Sequence, residues 1–381
     1  MSAVDPNAQR IQSPSRPKVS LTMIVRNEEH NLPRCLESVQ GLFDEIIVVD
    51  TGSVDRTKDI AAQYGAQIVE ICWADDFSAA RNASLEAATG DYAFWLDADD
   101  ILEASERIKL EKLIASLQVG QRNAFVMPTL SDRDPGRSGV IITDHVRLFP
   151  LSEEIRWQYR VHEQILMPLK QAGVVAKRAD ICIRHTGYSN PETKERKRQR
   201  DWKILQQELL SKPNDSFVLF NLGVIFFERK SFQEALEYFS LSFVNIQDPG
   251  SGGSLHRKLL GMLAWMLQLL GNLHASLRIC NEGLALDPQD AELLFRKAIA
   301  LRYLRRTNEA EKCWRAILQL KGHAMYSSVD KGILGHLTRR NLAHIAAEKG
   351  DKNEMRIQWL AVLAECPGDP DATRHLASLA S

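Results

Sequence analysis

From Val19 to Gly187, apolar runs of strand length alternate with segments of helical period. That alternation confines this part of the chain to an α/β layer fold with a mainly parallel sheet. VSLTMIV (Val19 to Val25) is the first strand, and RNEEHN leads from it to a helix around Leu32 to Gln40, with Asn31 as N-cap and Gly41 as stop. EIIVVDTGS supplies a second strand. A helix over Asp55 to Tyr64, capped by Ser53 or Asp55 and ended by Gly65, precedes a third strand, QIVEICW. Phe77 to Thr89 is the next helix, stopped by Gly90. Tyr92 to Leu96 is a fourth strand that delivers Asp97, Ala98, Asp99 and Asp100 at its carboxyl end, ahead of a helix over Glu103 to Leu117. In open α/β sheets the ligand lies beyond the carboxyl ends of the strands, and the polar residues here cluster there.

Between residues 120 and 190 the segments AFVMPTL, VIITDHVRLFP, EIRWQYRVHEQI and VVAKRADICIRHTGY read as strands with longer links that complete the sheet and cover the site. PETKERKRQRDWKILQQELL then forms a linker helix over 191–215, its basic residues a solvated face. After Asp215 the pattern is wholly helical, with a 34-residue self-similarity over 216–249, 257–290, 291–324 and 336–369. Its marks are Leu222, Gly223, Phe226, Ala235, Phe239 and Pro249 in the first unit, and Ala264, Gly271 and Pro288 in the second. Ala298, Ala310 and Trp314 mark the third, and Leu342, Ala343, Gly350, Trp359 and Pro367 the fourth. A Gly/Ser-rich break, DPGSGGS, separates the first two units, and an insert precedes the fourth. A plain helical bundle is the bland alternative; either arrangement makes 216–381 an interaction domain.

A chain of 381 residues is long enough for two to three cores. Its net charge of −1 advertises neither nucleic acid nor an anionic membrane as partner. Six scattered cysteines without a CxxC argue against a disulfide framework or a thiolate zinc site, and fit a reducing cytosol. Residues 1–18 have no apolar run of the kind a signal peptide needs and are expected to be a disordered tail. The longest apolar stretch, Leu259 to Leu270, falls short of the roughly 20 residues a bilayer requires, so a soluble, cytoplasmic protein is expected.

The strongest chemical signal is WLDADD, residues 95–100. Residues two apart on a strand point to the same side, so Asp97 and Asp99 project together and repel unless a cation joins them. Mg²⁺ or Mn²⁺ is the expected cofactor, sharing its remaining positions with nucleotide phosphates. Asp100 also reads as a cap of the following helix. Asp50, at the end of the second strand, and Arg81 with Asn82, one helix before the fourth, keep the Asp97–Asp99 pair company and raise its functional reading. No GxGxxG, GxxxxGK[ST] or GxSxG is present, which removes dinucleotide, P-loop and hydrolase readings.

In SLTMIVRNEEHNLPRCLESV, IIVVDTGSVDRT, FSAARNASLEAATGDYAFWLDADD and the late RVHE, residues 19 to about 187 resemble a family 2 glycosyltransferase of GT-A fold. The resemblance implies a Rossmann-like catalytic domain over 19–190. It makes Val25, Asn27, Glu28 and Asp50 nucleotide-binding candidates, places Arg81 at the diphosphate or sugar, and gives Asp97 and Asp99 to nucleotide and metal. For Asn27 and Glu28 a solvated loop with a helix cap is the competing reading. His162 and His185 stand in strand-like apolar surroundings, where a histidine is more often structural. The resemblance nonetheless points to a downstream histidine closing the metal shell, and His185 is placed for it. The family's ED-type base motif is absent in its usual form, so Glu163 is the first choice of catalytic base, with Asp144 and Asp100 in reserve.

The helical units resemble tetratricopeptide repeats, and the domain order is similar to that of bacterial peptide S-glycosyltransferases of the sublancin type. Together the two resemblances imply a metal-dependent inverting transferase that moves sugar from a nucleotide diphosphate sugar, expected to be a UDP-sugar, to a peptide, protein or glycan acceptor. The repeats would serve acceptor recognition or homodimer formation. Two rivals remain. One is a repeat scaffold with a nucleotide-sensing, non-catalytic α/β domain, against which the intact Asp50, Asp97 and Asp99 argue. The other is a sugar nucleotidyltransferase, for which RNEEHN is a poor substitute for a basic Gly-rich loop.

Overall fold

The computed structural model describes residues 16–132, 140–187, 191–246, 253–320 and 328–380. Most of the expected N-terminal tail and of the DPGSGGS break lies outside the described residues. By packing, the chain forms two units. The first comprises residues 1–127, 146–158 and 163–183; the second comprises residues 128–145, 159–162 and 184–381. Among the described residues no helix is long and apolar enough to cross a membrane.

In the first unit β1 (Val19–Val25) is flanked by β2 (Glu45–Asp50) and β4 (Tyr92–Trp95), and β3 (Gln67–Glu70) lies outside β2, all parallel. β1 is covered on both faces: Val19, Leu21 and Met23 on one side are fully buried, and Ser20 and Thr22 on the other are buried too. The three apolar residues share one core with Leu32, Cys35 and Leu36 of α1 (Leu32–Ser38), with Phe94, and with Leu148. Two further helices, α2 (Thr57–Gln63) and α3 (Phe77–Ala87), make the crossovers between parallel strands. The register pairs Val25 with Asp50 and Thr22 with Trp95, so the carboxyl ends of β1, β2 and β4 finish at one edge.

After β4 come a two-residue strand β5 (Asp100–Ile101), α4 (Ala104–Ala115), β6 (Asn123–Asp132) and β7 (Val140–Pro150). The sheet, parallel from β3 through β4, becomes mixed where β7 meets β4 antiparallel, Phe94 opposite Leu148. Alternation of apolar residues marks a strand without giving its direction.

EIRWQYRVHEQI is not a strand. It holds one isolated bridge, Gln158 to Gln164, and two residues of positive φ, Tyr159 (71°) and His162 (57°). The segment buries Ile155, Trp157, Val161 and Ile165, and anchors that all fall on alternate positions imitate strand periodicity. Next comes a short helix, α5 (Leu166–Gln171), that the sequence pattern did not indicate, and VVAKRADICIRH divides into β8 (Val175–Arg178) and β9 (Ile183–His185). The third strand also stops early, at Glu70, because Asp75 turns left-handed (φ 53°) and Asp76 caps α3 by accepting from Ala79 N at 2.9 Å.

In the second unit α6 (Pro191–Ser211) leads into helix pairs: α7 (Ser216–Glu228) with α8 (Phe232–Val244), and α9 (Ser254–Leu269) with α10 (Leu273–Leu286). The array continues with α11 (Ala291–Tyr303) and α12 (Thr307–Leu318), then α13 (His336–Glu348) and α14 (Lys352–Glu365). The pairs keep to the 34-residue units, although α9 starts three residues ahead of the second one. Asp215 caps α7 through Phe217 N and Val218 N, and Asp290 caps α11 through Leu293 N. Beyond the fourth unit α15 (Pro370–Ala380) places Ala372 against Ala343, Trp359 and Val362, covering the last pair as terminal caps of repeat arrays do. The region is not wholly helical. The insert carries β10 (Ser328–Asp330), which pairs antiparallel with β7, Val329 opposite Ile142.

Gly223 shows why small residues recur. A Cβ there would stand 2.7 Å from the ring of Phe239, itself fully buried. Alanine would gain up to about 1 kcal/mol of helix propensity, but overpacking a filled core costs about 1–3 kcal/mol. Gly223→Ala is therefore expected to lower stability by about 1–2 kcal/mol, read as a lower urea midpoint at unchanged slope.

Candidate active site

Asp50 ends β2 and is 1% exposed. Its Oδ1 accepts from Gly52 N and Ser53 N, both at 2.9 Å, whereas its Oδ2 is buried without a hydrogen-bond partner. Most buried polar atoms are satisfied, so an orphaned carboxylate oxygen at the ligand edge of a sheet is a vacancy suited to an incoming donor. Around it two loops are laced together. Asn27, held at φ 56°, donates its N–H to Ser53 Oγ at 2.9 Å and accepts from Val54 N through Oδ1 at 2.9 Å. Glu28 N donates to Thr57 Oγ1 at 2.7 Å, and Glu28 Oε2 accepts from Asn31 Nδ2 at 2.9 Å. Val25 is buried and offers its carbonyl to Thr51 N at 3.0 Å.

At the end of β4 the carboxylate oxygens of Asp97, Asp99 and Asp100 lie within 4.8 Å of one another. Asp97 and Asp99 are half-buried, while Asp100 is fully buried. Asp100 does not cap α4. Its Oδ2 accepts from Asp97 N at 3.0 Å and from Arg147 Nη1 at 2.7 Å, closing the turn from inside. The Cys35 thiol donates to Asp97 O at 3.4 Å; burial first, then the carboxylates of Asp100, Asp97 and Asp99, push it well above the usual thiol range.

Arg81 projects from α3 with 8% of its side chain exposed. Its Nη2 donates to Asp97 Oδ1 at 2.9 Å and its Nε to Glu163 Oε1 at 2.5 Å. Burial disfavours its charge, but Glu163 and Asp97 outweigh that and hold the guanidinium firmly protonated. It also lies 4.2 Å from the ring centre of Trp95 and 5.1 Å from that of Trp157. The neighbouring Asn82 grips Trp157 by its backbone, Nδ2 to the carbonyl at 3.0 Å and Oδ1 from the amide at 2.8 Å.

Thus Val25, Asn27, Glu28 and Asp50 gather where β1 and β2 end, and Arg81 joins Asp97 to Glu163. Asp144 lies half-buried on β7 in the second unit. His185, also assigned to that unit, ends β9, two residues beyond Ile183, which packs in the same core as Leu96 and Ala98. Sequence reasoning passed over Arg147, Trp95 and Trp157. The signal for Arg147 was available: a lone charge inside the apolar run VRLFP.

Residues 20–167 match the family model for glycosyl transferase family 2. Through this stretch the chain is similar to that family. A TPR repeat-containing protein of Synechococcus elongatus is 38% identical over 216 residues, covering 54% of this chain and 51% of that protein. The SPbeta prophage-derived glycosyltransferase SunS of Bacillus subtilis is 28% identical over 233 residues, covering 60% and 54%. The chain therefore spans about half the length of these curated relatives. Among solved structures YrrB, a TPR protein, is 14% identical with a TM-score of 0.37, over 49% of this chain and 86% of that one.

Removing the Asn82 grip leaves a backbone amide and a carbonyl without their partners, each costing about 1–3 kcal/mol when buried. Asn82→Ala is expected to raise amide exchange across residues 155–158 at least tenfold, with the β1 amides unchanged.

Proposed function

We propose that this chain is a cytosolic, metal-dependent, inverting glycosyltransferase that moves a sugar from a nucleotide diphosphate sugar, expected to be a UDP-sugar, to a peptide, protein or glycan. The observation that carries this reading is the turn Asp97–Asp100, three carboxylates within 4.8 Å at the carboxyl end of β4. So many hard oxygen donors in one turn fit Mg²⁺ or Mn²⁺. Asp97 and Asp99 would hold the cation, with His185 as a further ligand tethered two residues from Ile183. When bound, such a cation stabilises charge on the departing diphosphate.

The remaining tasks fall to the chain itself. Asp50 Oδ2, buried and without a donor, suits the imide N–H of uracil or a ribose hydroxyl. Val25, Asn27 and Glu28 shape the loops around that seat. Arg81, held by Asp97 and Glu163, presents its remaining N–H groups to diphosphate oxygens. Glu163 is the proposed base: it takes the acceptor's proton as the acceptor attacks the anomeric carbon opposite the diphosphate, and the bond from Arg81 to its Oε1 fixes its direction. Asp144 is the reserve. Asp100, sealed from solvent against Arg147, has no route to an acceptor and is assigned to positioning. Helical-repeat grooves commonly receive peptides, which favours a peptide or protein acceptor; pairing of two copies is the competing use of the repeats.

A thermal-shift panel of UDP, GDP and CDP with and without Mn²⁺ tests the reading. Stabilisation by UDP with Mn²⁺ is expected, absent in Asp97→Asn/Asp99→Asn; no response of the wild-type chain to any nucleotide would sink the proposal. Asp50→Asn is expected to weaken UDP binding about tenfold, roughly 1.4 kcal/mol. Its melting temperature should stay near wild type, because an amide oxygen still accepts from Gly52 and Ser53.

A further inference from the structure

We propose that Arg147 is a positioning residue for the acidic turn, acting through Asp100 to set the cation-binding geometry of Asp97 and Asp99. This rests on the metal-dependent reading above. Arg147 is 1% exposed in the buried part of β7, between Val146 and Leu148. A guanidinium taken out of water costs several kcal/mol unless its donors are answered, and an apolar residue would fill such a position more cheaply. Here one terminal nitrogen is aimed twice. Nη1 reaches Asp100 Oδ2 at 2.7 Å and the Trp95 carbonyl at 3.3 Å, and the guanidinium lies 3.7 Å from the centre of the Trp95 ring.

The receiving oxygen is the decisive atom. Asp100 Oδ2 takes the bond from Arg147 and, at 3.0 Å, the bond from Asp97 N. Asp100 N in turn donates to Asp97 O at 3.0 Å. A guanidinium, a carboxylate and the backbone of residue 97 thus form one chain of bonds that fixes where the turn points its other two carboxylates. The bond to Trp95 O ties the same guanidinium to the last residue of β4, so the turn is referenced to the strand that presents it. Lysine keeps the charge but neither the planar stack nor the two directed N–H bonds.

Mn²⁺ titrations followed by electron paramagnetic resonance, with and without UDP, separate positioning from bulk support. In Arg147→Lys the Mn²⁺ dissociation constant is expected to rise about 10–100-fold, the range found when partners that orient metal ligands are removed. Metal-free UDP affinity should be unchanged. Asp100→Asn should do the same, since it loses the charged bond from Arg147, and it decides the matter if the lysine variant does not fold. A folded variant with a lower melting temperature and wild-type Mn²⁺ affinity would overturn the inference and leave the proposed function standing. If the wild-type chain takes up no Mn²⁺, both fall.

Discussion

Repulsion within one four-residue turn is the constraint on which the site depends. Two unit charges 4.8 Å apart at an effective dielectric of about 20 repel by roughly 3–4 kcal/mol, and the turn from Asp97 to Asp100 gathers three. What opposes the repulsion is built around Trp95. The Arg81 guanidinium lies 4.2 Å and the Arg147 guanidinium 3.7 Å from that ring's centre. One binds Asp97 and the other Asp100. The indole ring serves both guanidinium groups, and its Nε1 is fixed in turn by donating to Val146 O at 2.6 Å.

The sheet makes that arrangement addressable. β1 lies between β2 and β4, so the orphan oxygen of Asp50 and the acidic turn are presented at the same edge by strands whose relative heights are set by backbone hydrogen bonds. α3 supplies Arg81 from a buried position just before β4 begins, and the same turn of helix carries Asn82, which clamps the Trp157 segment. Anchoring Trp157 steadies the aromatic surface beside Arg81 and, six residues on, the stretch that bears Glu163. Residues adjacent on one helix therefore hold the anionic turn and the proposed base.

Legibility in the sequence tracked the physics of each element. The strand that became β1, the span of β7 and the 34-residue helix pairs were plain, because a doubly covered strand and a repeated small-residue contact impose their own periodicity. Strand direction was not, since alternation is the same read either way. The 154–165 segment misled because irregular backbone can place its buried anchors on alternate positions as a strand does. β10 is three residues long, below the length at which any period can show. At the site, Asp50, Arg81, Asp97 and Asp99 stood out as charges at strand or helix ends. The partnership of Arg147 with Asp100 joins residues 47 apart in sequence, and nothing local to either announces it.

Two carboxylates of the first unit, Asp50 and Asp100, are buried to the same degree and make opposite use of it. On Asp100 a single oxygen receives both a guanidinium and a backbone amide, so the group answers to the protein and stabilises a turn. On Asp50 one oxygen takes two amides and the other takes none. Leaving a buried acceptor unmet costs about 1–3 kcal/mol, a penalty that the folded chain alone has no use for and that a ligand's donor would relieve. Burial by itself therefore assigns neither residue. What separates a scaffold carboxylate from one open to a ligand is whether its bonds close within the protein, and by that criterion Asp50 keeps an oxygen for an incoming donor while Asp100 supports the acidic turn.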